Sequence, residues 1–234
     1  MQLITKGFDP GKIKVFIEQP LASEKDMFSQ YGYKVTNVID EADLLVWTGG
    51  GDINPALYNE RPLQYTHFYQ ARDERELRMW RNAGNKFKAG ICRGGQLLNV
   101  LNGGRLWQHV TNHGRQHPIE DMFTGKKLMT SSLHHQAFRP AEDAVVVATT
   151  RQSGAKFSEK ESWKMPVLKA EEPRTHKEKL YHEETGTDYE VLWYPKTRSL
   201  CFQGHPEFGP DECTDYFFEL LSRYYGPTGS EAAA

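Results

Sequence analysis

Short apolar runs that alternate with helical segments limit the fold of this chain more than any other feature. A strand that is followed by a helix and a second strand usually pairs in parallel with that second strand. The predicted strands of the first part are residues 12–20, 33–39, 42–55, 87–91 and 143–150, and the predicted helices are residues 23–32, 72–86 and 94–104. This order predicts an α/β fold whose mostly parallel sheet carries helices on both faces.

The remaining segments predict how the domain is completed. Residues 188–195 and 199–208 predict a hairpin of two strands, and residues 211–225 predict a closing helix. Residues 154–186 are polar and poorly periodic, which predicts irregular excursions or short strands at the surface. A length of 234 residues suits one domain, which we assign to residues 1–226, with residues 227–234 as a disordered tail.

Two helices carry more detailed expectations. Ser23 is the predicted N-cap of the first helix, because its hydroxyl could accept a hydrogen bond from an unpaired amide of the first turn. In the second helix, residues 72–86, the apolar side is formed by Leu77, Trp80 and Ala83, which are therefore expected to face the core.

Composition excludes several classes of protein. The formal net charge of -2 gives no electrostatic reason to expect a nucleic-acid partner, and no stretch approaches the ~20 apolar residues of a membrane span. The three cysteines include no C-x-x-C pair, so neither a disulfide framework nor a structural zinc site is expected. With no apolar core of a signal peptide at the start, we expect a cytoplasmic protein. The oligomeric state is left open.

A cysteine between two glycines is the first candidate for chemistry. Cys92 lies in "GICRG", after an apolar strand and before a helix, and Gly90 and Gly94 remove side chains where strand and helix pass close together. Such a sharp turn presents a nucleophile, and the positive end of the helix favours a thiolate. The amide of Arg93 could bind a developing oxyanion. The alternative is that Cys92 is a small buried apolar residue, as free cysteines usually are.

A nucleophilic cysteine requires a base, and one histidine differs from the others. His205 follows the apolar strand "LCFQG", so its strand end would lie at the same sheet edge as Cys92 if the strands there are parallel. Glu207 follows two residues later and could orient the imidazole through a hydrogen bond. The alternative is a loop histidine beside a surface glutamate. The other histidines in polar stretches are expected to be surface or structural residues: His67, His109, His113, His117, His176 and His182.

Five motifs, in order, resemble those of one family. They are "WTGGGDINPALYNE" at 47–60, "RDERELRMWR" at 72–81, "GICRGGQLLNVLNGG" at 90–104, "SSLHHQAF" at 131–138 and "FQGHPE" at 202–207. Together they resemble the class I glutamine amidotransferase domains, and more closely the peptidase C26 branch, which includes γ-glutamyl hydrolases and γ-glutamyl-γ-aminobutyrate hydrolases. The resemblance implies a flavodoxin-like fold and hydrolysis of a γ-glutamyl amide without metal or organic cofactor.

The resemblance also implies roles for individual residues. Cys92 would be the nucleophile, His205 the base and Glu207 the carboxylate that orients the base. The glycine turn after the third strand would supply one oxyanion-hole amide, which we assign to Gly50, and Arg93 would supply the other.

Four further residues correspond to substrate contacts of the family. Gln96 resembles the glutamine that helps to hold the glutamyl group, and His134, Gln136 and Ala137 belong to the segment whose backbone meets the α-amino and α-carboxylate groups.

Two positions depart from the family pattern. Gly51 stands where proline is common, which predicts a looser oxyanion loop, and Gly204 replaces a bulky residue before the histidine, which predicts a wider pocket on the leaving-group side.

Histidine-rich stretches raise a competing interpretation, a metal site. "NHGRQHP" at 112–118 and "LHHQ" at 133–136 contain several imidazoles, but they show no HExxH motif or regular ligand spacing. We therefore expect no metal and interpret these side chains as lining or capping the rim of the site.

Three functions remain open at this point. The first is a free-standing γ-glutamyl hydrolase with a small-molecule substrate. The second is a glutamine amidotransferase subunit that supplies ammonia to a separate synthetase partner. The third is an inactive binding module, against which the presence of Cys92, His205 and Glu207 argues.

Overall fold

The computed structural model describes residues 8–159, 180–183 and 186–225. Its strands are β1 (Lys14–Glu18), β2 (Lys34–Val35), β3 (Leu44–Trp47), β4 (Phe87–Ile91), β5 (Arg105–Trp107), β6 (His109–Val110), β7 (His117–Asp121), β8 (Lys127–Thr130), β9 (Ala137–Arg139), β10 (Val145–Thr150), β11 (Lys156–Glu159), β12 (Leu180–Glu183), β13 (Asp188–Tyr194) and β14 (Ser199–Phe202). Its α-helices are α1 (Ala22–Gln30), α2 (Gln70–Asn82), α3 (Arg93–Leu101) and α4 (Asp211–Tyr225). Within the described residues, no helix is long and apolar enough to cross a membrane.

A nine-stranded sheet in the order β2-β1-β3-β4-β14-β13-β10-β7-β8 forms the centre of the structure. The first five strands in this order, β2, β1, β3, β4 and β14, are parallel to one another. The strands from β13 to β8 extend the sheet in antiparallel pairs, and β13 and β14 form the predicted hairpin. The predicted α/β fold is confirmed, and the parallel part of the sheet adjoins the candidate site.

Helices cover both faces of the sheet because its buried strands are apolar on both sides. One core contains Met27 and Phe28 of α1 and the apolar side of α4, together with Val46 of β3. The other core contains Met79 of α2 and Leu97 of α3, together with residues of the opposite strand faces. The alternation along each strand therefore divides the helices into the pair α1 and α4 and the pair α2 and α3.

The first helix begins two residues earlier than the N-cap prediction implied. Leu21, in extended conformation, is the N-cap, and its amide donates a hydrogen bond to the carboxylate of Glu24. Because this carboxylate reaches back to the start of the helix, a hydroxyl cap is not needed, and the Ser23 hydroxyl has no partner within the described chain. The prediction for Ser23 is wrong.

The buried side of α2 agrees with the prediction only in part: Ala83 belongs to the core and Trp80 packs against it. Asp73, Glu76 and Met79 are its buried residues, whereas Leu77 and Trp80 are only partly covered and Ala83 is buried just after the helix. Two carboxylates can occupy this face because a buried arginine of α3 pairs with them, as the site geometry below describes.

Short strands account for much of the chain that the sequence analysis left unassigned. Strands β5 to β9 lie within residues 105–139, which carried no strand prediction. In the polar segment 154–186, β11 and β12 form an antiparallel pair, and β11 also pairs with β6. The remainder of that segment, residues 160–179 and 184–185, lies outside the described residues, as does the predicted tail 227–234.

Candidate active site

Three neighbouring parallel strands end at one edge of the sheet, and each is followed by a candidate segment. Trp47 of β3 pairs with Gly90 of β4, and Ile91 of β4 pairs with Phe202 of β14. The glycine turn after β3, Cys92 after β4, and residues 203–207 after β14 therefore emerge side by side. The condition on which the sequence argument depended, that the strands are parallel, is met.

Cys92 occupies a strained turn at the start of α3. Its backbone has φ 49° and ψ -107°, a conformation that side-chain-bearing residues seldom adopt, and it is the N-cap of the helix. Its amide donates a 2.7 Å hydrogen bond to the carbonyl of Phe202 on β14. The residue Cys92 as a whole is 5% exposed. This is the geometry predicted for a presented nucleophile, and the neighbouring strand holds it in place.

Glycine is required around Cys92 because helix and sheet are in backbone contact. A Cβ on Gly94 would overlap the carbonyl oxygen of Trp47, and a Cβ on Gly90 would overlap the backbone of Gly94. A Cβ on Gly95 would lie 2.9 Å from the backbone of Phe202. The predicted close passage of strand and helix is confirmed, and it involves β3 and β14 as well as β4.

His205 and Glu207 form a hydrogen-bonded pair beside the thiol. Nδ1 of His205 lies 2.7 Å from Oε1 of Glu207. Burial lowers the pKa of His205, but its hydrogen bonds to Cys92 and Glu207 and their negative charges outweigh burial and raise the pKa to about 10. An imidazolium between a thiol and a carboxylate is the form that can donate a proton to a leaving group.

A second carboxyl group lies close to this pair. Glu24, on α1, is buried, and its pKa is raised by burial and then by the negative charge of Glu207. Glu24 stands outside the sequence motifs, so no pattern indicated it as a site residue. Glu207 therefore has a second carboxyl group nearby, which the motif alone does not indicate.

The glycine turn after β3 packs against both His205 and α2. A Cβ on Gly49 would lie 2.6 Å from Cε1 of His205, and a Cβ on Gly50 would overlap the guanidinium of Arg72. Gly50 also has φ 141°, which favours glycine. Arg72 donates hydrogen bonds to the carbonyls of Thr48 (3.1 Å) and Gly49 (2.9 Å). The turn is therefore fixed from outside by one arginine.

Arg72 belongs to a buried arginine–carboxylate network, which also contains Asp73, Glu76 and Arg93. Glu76 accepts a 2.7 Å hydrogen bond from Arg72 and a second hydrogen bond from Arg93, and Asp73 accepts one from Arg93. The Arg93 side chain is 2% exposed. The sequence motifs indicated only the amide of Arg93 and not this network. The i, i+3 spacing of Asp73 and Glu76, which puts both carboxylates on one helix face, was the available signal.

Three glutamines connect the thiol to the segment after β8. Gln96, in the second turn of α3, donates hydrogen bonds to the carbonyl of Gln136 (3.1 Å) and to the side-chain oxygen of Gln203 (3.3 Å). The side-chain nitrogen Nε2 of Gln203 lies 3.9 Å from the sulfur of Cys92. Gln203 was not selected as a site residue although it stands inside the "FQGHPE" motif.

The predicted substrate segment is buried beside these glutamines. Nδ1 of His134 lies 2.9 Å from the backbone carbonyl of Gln136. The side-chain nitrogen Nε2 of Gln136 donates a hydrogen bond to the carbonyl of Gln108 at 3.3 Å. Ala137 begins β9 and pairs with Trp107. Since the carbonyl of Gln136 contacts both Gln96 and His134, this segment and α3 are directly connected.

Three histidines are buried, although the sequence predicts surface or structural residues for two of them and a place at the rim for all three. His113, His117 and His134 are 2%, 1% and 8% exposed. They are buried because Glu190 of β13 and its neighbours provide polar partners below the rim, including a 3.2 Å contact with His117. The expectation that they line or cap the rim is therefore wrong.

The two glycines that depart from the family pattern have different surroundings. A Cβ on Gly204 would overlap the hydroxyl oxygen of Thr130, so this glycine allows close packing and the predicted widening of the pocket is wrong. A Cβ on Gly51 would make only ordinary contacts with His67 and Tyr69. The adjoining Asp52 amide donates a 3.0 Å hydrogen bond to the carbonyl of His67. Together with Arg72, this bond holds the turn on both sides, contrary to the expected looseness.

Comparison with known proteins agrees with this fold. Residues 27–122 match the Peptidase C26 family. The glutamine amidotransferase-like YvdE homolog of Lactococcus lactis subsp. cremoris is 32% identical over 148 residues, which are 49% of this chain and 79% of that protein. The carbamoyl phosphate synthase small chain of Thermotoga maritima is 31% identical over 141 residues, which are 58% of this chain.

Solved structures show the same fold at low sequence identity. A glutamine amidotransferase from Thermotoga maritima superposes with a TM-score of 0.54 and 13% identity, over 95% of this chain and 86% of that one. PurLQS from the same organism gives a TM-score of 0.55 and 13% identity, over 89% and 96% of the two chains. The present chain spans only 35% of the length of the carbamoyl phosphate synthase small chain and 53% of the NtpR protein of Enterococcus hirae, to which it is 32% identical.

The α/β sheet of this chain, with its parallel half and the helices on both faces, is the fold of these solved structures. The chain belongs to the class I glutamine amidotransferase-like family.

Proposed function

We propose that this protein hydrolyses a γ-glutamyl amide through a covalent γ-glutamyl thioester. The observation that carries the proposal is the convergence of the strained Cys92 elbow and the His205–Glu207 pair at one sheet edge. Cys92 is the nucleophile, His205 transfers protons, and Glu207 holds the imidazole in orientation.

In the first half of the reaction, the thiolate of Cys92 attacks the γ-carbonyl carbon of the substrate. The carbonyl oxygen becomes an oxyanion, which the amides of Gly50 and Arg93 stabilise. The C–N bond then breaks, and the imidazolium of His205 donates its proton to the departing nitrogen. The raised pKa of His205 suits this step, because the imidazole is protonated at neutral pH.

In the second half, water replaces the amine. His205, now neutral, takes a proton from the water, whose oxygen attacks the thioester carbon. The C–S bond breaks, glutamate leaves, and Cys92 and His205 return to the thiolate and imidazolium forms. The glutamyl group is held by Gln96 and by the backbone of His134, Gln136 and Ala137, and no cofactor takes part.

Exposed apolar side chains adjoin the segments that form the site. Tyr69, next to Gly51, and Leu133, next to His134, are 73% and 66% exposed, and Phe208 stacks near the His205 ring with centroids 5.9 Å apart. These side chains favour a leaving group that carries hydrocarbon over ammonia, because contacts with a larger amine add binding energy in the transition state.

The second candidate is an amidotransferase subunit that releases ammonia from glutamine for a separate synthetase. The similarity to the carbamoyl phosphate synthase small chain favours it. On this candidate, the exposed apolar side chains would contact the partner, and the protein alone would turn over slowly.

The decisive experiment measures the isolated protein against glutamine and a series of γ-glutamyl amines, with glutamate and released amine or ammonia assayed separately. We expect at least one γ-glutamyl amine to give a higher kcat/KM than glutamine, hydroxylamine to trap the thioester, and the Cys92→Ala variant to be inactive while folded.

Tyr69→Ala is the matched variant for the leaving-group argument, and Leu21→Ala, another exposed apolar residue, is its control. Tyr69→Ala should lower kcat/KM for an aromatic amine more than for glutamine. Glutaminase activity that appears only with an added synthetase, with no amine substrate cleaved, would instead support the second candidate. Full turnover by Cys92→Ala would contradict both.

A further inference from the structure

Three side chains that are distant in sequence form a buried cluster, and one of them belongs to the segment after β8. His113, His134 and Glu190 each offer one ligand atom, and these atoms all lie within 4.8 Å of one another. All three residues are buried, and the rings of His113 and His134 have centroids 4.6 Å apart. Cys92, His205 and Glu207 are not members of this cluster.

His134 has one nitrogen without a partner. Its Nδ1 lies 2.9 Å from the carbonyl of Gln136, which can only accept, so Nδ1 carries the hydrogen. Its Nε2 is therefore a bare lone pair, and it has no hydrogen-bond partner among the residues that the structure describes. Burial lowers the pKa of His134 well below its usual value, and the nearby imidazoles of His113, His117 and His205 lower it further. The hydrogen bond with Gln136 raises this pKa but does not compensate. A neutral imidazole with a free lone pair is the form that binds metal ions.

The partners of His113 also leave one nitrogen bare. Ser153 donates its single hydroxyl hydrogen to Asp188 (2.7 Å), so it accepts the hydrogen of His113 Nε2 (3.0 Å). The lone pair of His113 is then on Nδ1, which lies 4.0 Å from Oε1 of Glu190. The one hydroxyl hydrogen of Ser132, 3.5 Å from this Nδ1, goes to the carbonyl of His113.

Glu190 completes the set with a carboxylate oxygen. Its Oε1 contacts Nε2 of His117 at 3.2 Å, whereas its Oε2 is buried with no hydrogen-bond partner in the described part of the chain. An orphaned carboxylate oxygen costs free energy unless a ligand satisfies it. The other charged groups nearby are His117, Asp188 and Lys156, and Lys156 pairs with Asp188 at 2.9 Å.

We propose that His113 Nδ1, His134 Nε2 and the Glu190 carboxylate bind a divalent transition-metal ion such as Zn²⁺. Two imidazoles and one carboxylate are a common three-residue set for zinc, with a fourth position left for another ligand. Each imidazole donates its other N–H to the protein, which fixes the ring and the tautomer. Tetrahedral ligands at zinc distances lie about 3.3 Å apart, so small side-chain rotations bring this cluster to bonding distance.

No metal is expected from the sequence, because the histidine-rich stretches lack a regular ligand spacing. These three ligands come from separate segments and meet only through the fold. A bound ion would fix the segment after β8, because the carbonyl of Gln136 contacts both His134 and Gln96. The proposal is independent of the proposed reaction, which needs no metal.

Equilibrium dialysis against Zn²⁺, followed by elemental analysis, tests the site. The parent is the full chain with Cys92→Ala, because the Cys92 thiolate and His205 could themselves bind zinc. We expect about one zinc per chain in this parent. His134→Asn keeps a donor for the Gln136 carbonyl and removes Nε2, and His113→Gln keeps a donor for Ser153 and removes Nδ1. Each should weaken zinc binding at least about tenfold.

Two further variants make the result specific. Glu190→Gln removes the charged ligand and should lose zinc similarly, whereas His67→Ala removes an exposed histidine outside the cluster and should bind like the parent. Circular dichroism identifies any variant that fails to fold, and the remaining ligand variants then decide. Failure of the folded parent to bind zinc, or equal binding by the parent and the folded ligand variants, overturns the proposal.

Discussion

Replacing Glu76 by Gln removes the carboxylate that lies between two arginines of the arginine–carboxylate network. The Glu76 side chain is fully buried, and it accepts hydrogen bonds from Arg72 and Arg93. A glutamine of the same shape keeps one acceptor oxygen but turns an NH₂ group towards guanidinium donors. The change therefore leaves positive charge that is only partly compensated in a buried position.

The expected cost follows from what the two arginines retain. Breaking a buried ion pair by removing one partner costs about 3–5 kcal/mol. Arg93 keeps its bond to Asp73, and Arg72 keeps the carbonyls of Thr48 and Gly49, so we expect the lower end, about 3 kcal/mol. Against a total stability of about 5–15 kcal/mol, this is a large fraction.

Activity should fall as well, because Arg72 holds the glycine turn that contacts His205. A displacement of that turn by about 1 Å is expected to lower kcat/KM by about 10²-fold. Stability is measured by urea unfolding at pH 7, where the midpoint should fall with an unchanged m-value.

Glu74→Gln is the matched control, since Glu74 lies on the same helix, is exposed and contacts only Gln70 at 2.9 Å among the described hydrogen bonds. It should change the free energy of unfolding by at most about 0.5 kcal/mol. A loss below about 1 kcal/mol in Glu76→Gln, where a buried pair predicts about 3–5, would refute the reasoning.

Three further predictions concern the thiols and the histidine pair. Iodoacetamide should label Cys92 faster than Cys201 or Cys213, whose pKa values are raised by burial; equal rates by peptide mapping would contradict this. His205→Ala should lower kcat by several powers of ten and Glu207→Gln by less, and the double variant should be less impaired than the product of the single effects; a fully multiplicative loss would mean that the two act separately. Because the pKa of His205 is raised from 6.5 to about 10, its contribution to stability is complete below pH 6.5 and is lost as the pH rises through about 10. Urea unfolding from pH 6 to 10 should show a smaller decline in Glu207→Gln than in the wild type.

The parallel half of the sheet could be predicted because its signals are local. The strand β4 and the closing helix α4 have the predicted bounds, since β4 is a short apolar run and the pattern of α4 is bounded by Pro210 and Gly226. Strands of two to five residues between 105 and 139 could not be predicted, because their pairing partners, not their own sequences, make them strands.

The candidate site divides in the same way. Cys92, His205 and Glu207 stand in local motifs, a glycine-flanked turn and a strand end, that indicate their positions in the fold. The sequence was therefore enough to select them. The buried pairing of Arg93 with Asp73 and Glu76 joins two helices, and no pattern within either helix states that an arginine from the other will compensate the carboxylates.

The same reasoning explains the buried histidines. A histidine in the polar stretch "NHGRQHP" at 112–118 resembles a surface residue when only its neighbours in sequence are considered. His113 and His117 are buried because Asp188, Ser153 and Glu190, more than 30 residues away, offer polar partners. Burial of polar side chains is decided by such distant partners.

The backbone contact between α3 and the sheet has a consequence for local motion. With glycines at 90, 94 and 95, the helix lies directly against β3, β4 and β14, and the amide of Cys92 is bonded to Phe202 at 2.7 Å. Opening the elbow alone would require separating α3 from all three central strands. The amide hydrogen of Cys92 should therefore exchange with deuterium only through global unfolding, with a free energy equal to that from urea unfolding. The proposed nucleophile is then held by a part of the chain that opens only on global unfolding, whereas many enzymes place theirs on a loop that can open independently.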